Sequence, residues 1–220
     1  MTNTQKHVFR DPTSLTKWTR SLLAASIVVV LFSAGTSTAE LLGYRLESSS
    51  PLFLLFAVPW AIVMAGAGLA SMILVLVWIH RANHNARALG ATGLEMTPGW
   101  AVGWYFVPIA WFWKPYQAMK EIWRASASPK HWSRQGASPL LGWWWGLWLA
   151  RWWIPVLAAG GPVRIHFASA ETVAVHTGTM EAVGDILVDI LYVPLTLVLL
   201  MIIDGIHSMQ MEHFRSRTEG

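Results

Sequence analysis

With 220 residues, 54% of them hydrophobic and only 13% charged, the chain is far from the mix of an ordinary soluble fold and reads as one integral membrane domain. The absence of Cys excludes disulfides, thiolate catalysis and Cys-ligated zinc or iron–sulfur centres. Its net charge of +4 suits cytoplasmic segments and anionic lipid headgroups rather than nucleic acid, for which no binding motif is visible.

In chain order, a polar tail (residues 1–20) leads into a membrane domain (21–206) that ends in a short basic tail (207–220). Four stretches, about 21–42, 52–79, 140–159 and 183–206, come close to or exceed the roughly 20 apolar residues that a helix needs to cross the hydrocarbon core. Backbone groups must be satisfied within each span, so all four are predicted helices. Pro59, Pro155 and Pro194 lie inside them and predict kinks. Lys17 and Arg20 before an apolar run, with Ser37-Thr38-Ala39 after it, also resemble a cleavable leader. The long polar tail and the apolar run onward to Leu42 favour a retained span. The stretch around 35–39 and the loop 160–179 carry no helical pattern and read as connections.

Between the second and third of these spans lies segment 98–125, too apolar for a loop and too interrupted for a span. Trp and Tyr prefer the headgroup boundary, so the segment reads as a re-entrant or interfacial helical pair broken near Pro108. If it does not cross, every Lys and Arg except Arg45, Arg151 and Arg164 gathers on one side. If it crosses, the cations split almost evenly. The positive-inside rule therefore predicts an all-α membrane protein with four transmembrane helices, both termini cytoplasmic and the Trp-rich pair on the cytoplasmic face.

The run Trp78, Arg81, Ala82, Asn85, Arg87, Leu89 and Gly90 is followed by Pro98-Gly99-Trp100, Gly103-Trp104 and Val107-Pro108-Ile109-Ala110. Further on come Trp113, Pro115, Met119, Glu121, Trp123 and Arg124. Together these resemble DUF4328, a family of bacterial multi-pass membrane proteins, and the resemblance covers most of the chain from the second span onward. Trp111 stands where the family pattern usually carries Asn, which leaves no amide role at that position. The resemblance implies a bacterial cell membrane and no established activity.

The segment after Pro108 predicts an amphipathic helix, with Tyr116, Met119, Ile122 and Trp123 near one face and Lys114, Gln117, Lys120, Glu121 and Arg124 largely on the other. Trp100, Trp104, Lys114, Tyr116, Lys120, Trp123 and Arg124 are thus the candidate contacts to the interface or to lipid. Gly99 and Gly103 would allow close helix approach. Arg151, deep in the third span, needs a partner or a wet interior, and Asp185 and Asp189, one turn apart, are the candidates. They form either an ion-linked site or a register-setting ion pair, with Glu40 a further neighbour. Arg81, Arg87 and Asp204 form a candidate inner clamp, with His207 close in depth.

His80 and His84 have the spacing for a metal ion, but there is no HExxH pattern and interfacial imidazoles account for them. The Trp residues of the third span, Trp143 to Trp153, read as an aromatic belt and core packing, with a stacking site for a sugar, amine or quinone as the alternative. No catalytic, cofactor or metal residue is assigned. The leading expectation is a non-enzymatic sensor, scaffold or modulator that contacts the bilayer, anionic headgroups and a membrane-protein partner or second copy. The alternative is a small-solute or ion carrier using Arg151, Asp185 and Asp189.

Overall fold

The computed structural model describes residues 7–44, 51–158 and 170–219, among which there are helices, turns and loops and no strand. The helices are α1 (Thr13–Leu41), α2 (Pro51–Ala88), α3 (Pro98–Gly103), α4 (Lys114–Ala127), α5 (Pro139–Ala158) and α6 (Ala170–Thr218). Single 3-10 turns occupy Trp104–Phe106, Ala110–Phe112 and Trp132–Arg134.

Three helical stretches are long and apolar enough to cross a membrane: Thr13–Ala39, Leu55–Ala88 and Ile186–Thr218. The third expected span, 140–159, coincides with α5, which has 20 residues but carries six Trp and Arg151, so it lacks the aliphatic character of the other three. Helix ends differ from the sequence expectation. The helix begins at Thr13 rather than near Ser21, α2 runs on through Ala88, and α6 runs from Ala170, inside the expected loop, to Thr218. Hydropathy detects only the part of a helix that suits lipid; polar helical turns beyond it are stabilised by tertiary packing that leaves no apolar run to read. Pro59 and Pro194 are accommodated inside α2 and α6. Arg45 and Arg164, and the side chains of Glu40 and Asp185, lie outside the described residues.

The chain divides into two compact units. The first comprises residues up to Leu22, Ala70–Trp145 and Val198 onward. Its core brings together Ile79 and Ala86 of α2, Met119 and Ile122 of α4, Leu141 of α5 and Ile202 and Ile206 of α6, all fully buried. Burying each of the Ile, Met and Leu side chains contributes about 1.5–3 kcal/mol. The C-terminus of α2 is closed by Gly90 at φ +97, with Ala91 N–H donating to Ala86 O at 3.1 Å and Gly90 N–H to Arg87 O at 2.9 Å. This is the left-handed turn for which glycine is suited. Arg217 of α6 donates to the carbonyls of Ala88 and Leu89, placing a cation at the negative end of α2.

The second unit comprises Leu23–Leu69 and Gly146–Leu197. Here Val28, Leu31, Phe56, Ile62, Ile190 and Leu197 are exposed, as lipid-facing side chains are, whereas Leu23, Val30 and Leu195 are buried. Phe32 and Trp60 meet edge to face with centroids 4.5 Å apart.

Candidate functional site

The Trp-rich segment begins at Thr97, whose Oγ1 accepts from Trp100 N–H at 3.2 Å and so caps α3, with Pro98 in its first turn. After the 3-10 turn at Trp104–Phe106 the chain becomes extended at Val107 and reverses at Ile109. There φ is 68 and ψ −52, and Ala110 N–H donates to Pro108 O at 2.8 Å. This is a γ-turn of the positive-φ kind, and a β-branched residue held in it stores about 1–3 kcal/mol of strain. The chain then enters α4 at Lys114, with Pro115 in the first turn.

α4 is amphipathic as expected, but its partner is protein. Pro115, Ala118, Met119, Glu121, Ile122, Ala125 and Ser126 are buried in the first unit, Tyr116, Lys120, Trp123 and Arg124 are half-buried, and Gln117 is exposed. Glu121 therefore lies on the packed side rather than on the expected polar face. Its Oε2 accepts from Glu95 N–H at 2.8 Å and its Oε1 from Met96 N–H at 3.2 Å. Burial pushes its carboxyl above the usual value, opposed by those two amides and by the charge of Arg87. Arg87 reaches the same loop from the other side, donating from Nη2 to Met96 O at 2.7 Å and Leu94 O at 3.2 Å. Asn83 Nδ2 adds a second donor to Met96 O at 3.2 Å. The loop before α3 is thus gripped through its backbone by groups of α2 and α4.

Two further amides hold this unit. Asn85 accepts from Arg10 N–H at 3.0 Å and donates to Arg10 O at 2.8 Å, fixing the chain ahead of α1. Gln210 Nε2 donates to Ala82 O and to Ser126 Oγ, both at 2.9 Å, tying α6 to α2 and α4. Trp78 Nε1 donates to Thr16 Oγ1 at 3.1 Å. Asn85, Arg87 and Glu121 stand inside the motif that the sequence singled out; Gln210 had no signal, being one polar residue among several near a helix end.

The surface of the segment lies in the turn rather than on α4. Trp100, Phe106, Ile109 and Trp113 are exposed, Ile109 by 70% and Phe106 by 65%. Trp100 and Trp104 pack at 4.8 Å, and Lys114 Nζ sits 5.5 Å from the Trp104 ring centroid. Trp145 of α5 anchors the turn by donating to Phe112 O at 3.1 Å.

The inner-clamp residues are not brought together. Asp204 pairs with Arg20 at 3.1 Å, Arg81 donates to Asp11 O at 3.5 Å, and Arg87 is spent on the loop. In the second unit the Arg151 guanidinium lies 5.2 Å over the Tyr192 ring, its Nε buried without a hydrogen-bond partner. Ser26 Oγ gives its hydrogen to Leu23 O at 2.7 Å, so Tyr192 OH is the donor in its 2.8 Å contact with Ser26 Oγ. Asp189 is half-buried and engaged in an interaction of its own. His84 meets His7 edge-on at 5.0 Å, while His80 is exposed. Among the described residues no group of three His, Asp or Glu is arranged to hold a metal ion.

The family model described as a domain of unknown function, DUF4328, matches residues 40–208. No curated protein and no solved structure matches the chain.

Proposed function

The chain belongs to the DUF4328 family, and from that premise we propose a non-enzymatic membrane scaffold or modulator that acts through its Trp-rich segment at the cytoplasmic lipid surface. In this reading four helices cross a bacterial cell membrane, both termini are cytoplasmic, and segment 98–125 stays on that side. The observation that carries the reading is how the motif spends its polar groups. Arg87, Asn83 and Glu121 all bind the backbone of one loop, and so hold in place a turn whose outward side chains are aromatic and aliphatic. Lys114, Lys120 and Arg124 supply charge beside it, suited to anionic headgroups. A membrane-protein partner or a second copy would then assemble on a platform that lipid has ordered.

The test is reconstitution in nanodiscs of phosphatidylcholine with and without phosphatidylglycerol. The wild type should be more resistant to heat with the anionic lipid, and Lys114→Gln, Lys120→Gln and Arg124→Gln together should remove that difference. Equal resistance of the wild type in both lipids would sink the proposal.

A second reading, a carrier for a small solute or ion, is favoured by one arrangement. The Arg151, Tyr192 and Ser26 chain joins α5, α6 and α1 by polar contacts among apolar helices, where such groups commonly line a path. Asp189 would extend it. Flux in proteoliposomes that is unaffected by both Arg151→Gln and Asp189→Asn would reject that path.

A further inference from the structure

We propose that the turn centred on Ile109 is a lipid-inserting wedge: Ile109 and Phe106 enter the acyl region of the membrane that the long helices cross, with Trp100, Trp113 and Lys114 at its headgroup boundary. This rests on the proposed lipid contact of the segment, and it moves the point of contact from α4 to the turn.

Exposure is the first argument. Phe106 and Ile109 are the most exposed large apolar side chains of the segment, and Pro108 between them is exposed as well. The second is strain. A β-branched residue is held in a positive-φ γ-turn with its side chain 70% exposed, so the surrounding structure holds a strained turn whose apolar tip gains little from the protein interior, as strained positions at contact sites do. Third, the turn is rigidly mounted. Its base is fixed by the Trp145 bond to Phe112 O, by the Trp100–Trp104 packing and by Lys114 over Trp104. A wedge needs such a base, because a floppy loop would lose in ordering what it gained in burial. Finally, the chemistry is layered as an interface is, with aliphatic and phenyl groups at the tip and indoles and an ammonium behind. A phospholipid layer fits that order better than a protein groove would.

The chain has no Cys, so single spin labels can be placed without prior substitutions. In nanodiscs, labels at Ile109→Cys and Phe106→Cys should collide several-fold more with oxygen, relative to a water-soluble nickel chelate, than a label at Gln135→Cys, an exposed polar site of the same unit. In detergent, where no bilayer receives the tip, Ile109→Gly suits the positive φ and should keep or raise the thermal midpoint, showing that the tip is dispensable to the fold; a lower midpoint there would mean that the tip packs on protein and overturns the wedge. Nickel access at Ile109 and Phe106 equal to that at Gln135 overturns the wedge. Protection from both reagents also overturns it, because protein would then cover the tip. If the dependence on phosphatidylglycerol persists while the labels are water-exposed, the wedge alone fails. If that dependence is absent as well, the underlying lipid reading fails with it.

Discussion

Replacing Glu121 with Ala removes the acceptor of two amides, Glu95 N–H at 2.8 Å and Met96 N–H at 3.2 Å. A hydrogen bond to a charged group contributes about 1.5–3 kcal/mol, and relief of the carboxylate's own burial returns part of it, so the net cost is about 2–4 kcal/mol. For a chain of this size that lowers the thermal midpoint by roughly 4–16 °C. Glu121→Gln keeps one carbonyl acceptor and turns an NH2 toward the other amide, so its loss should be intermediate. The pH dependence gives a second readout. The folded carboxyl titrates above its unfolded value, so the fold binds the proton more tightly than the unfolded chain does. Stability from this group is therefore fully present below the unfolded value and is lost as pH rises through the folded value. Glu121→Gln should flatten that slope. Hydrogen exchange at Glu95 and Met96, with midpoints measured across pH in detergent, checks both points. Unchanged protection of the two amides in Glu121→Ala, or an unchanged slope in Glu121→Gln, would refute the reasoning.

Asn85→Ala should release the chain ahead of α1, at a cost of about 1–3 kcal/mol, read as faster proteolytic cutting near Arg10. Gly205→Ala places a methyl 2.9 Å from the Trp123 ring, and the shift it forces should cost about 1–3 kcal/mol; combining it with Trp123→Leu should restore most of the loss in a double-mutant cycle. Gln210→Leu leaves Ser126 Oγ without that donor and should destabilise the fold by about 1–2 kcal/mol, read as a lower thermal midpoint. Tyr192→Phe deletes the donor to Ser26 while keeping the ring under Arg151, so it should cost about 0.5–1.5 kcal/mol, less than Arg151→Ala in the same thermal assay.

The sequence by itself determined the class: long aliphatic runs dictate helices suited to lipid, and a Trp-rich segment with Pro108 at its middle dictates a break. It also marked Asn85, Arg87 and Glu121 as members of one motif. Tertiary structure alone decided what those residues touch. A carboxylate on an amphipathic helix looks the same in sequence whether it faces water or accepts from two buried amides, and only the packing of α4 against α2 and α6 put Glu121 on the second course. The partner of Asp204 followed the same logic: depth along the chain offered Arg81 and Arg87, but Arg87 is held by Leu94 and Met96 and the cation at hand is Arg20. Hydropathy sums one residue at a time along one chain. Pairing between helices is a property of distances across it, and those exist only once the helices have packed.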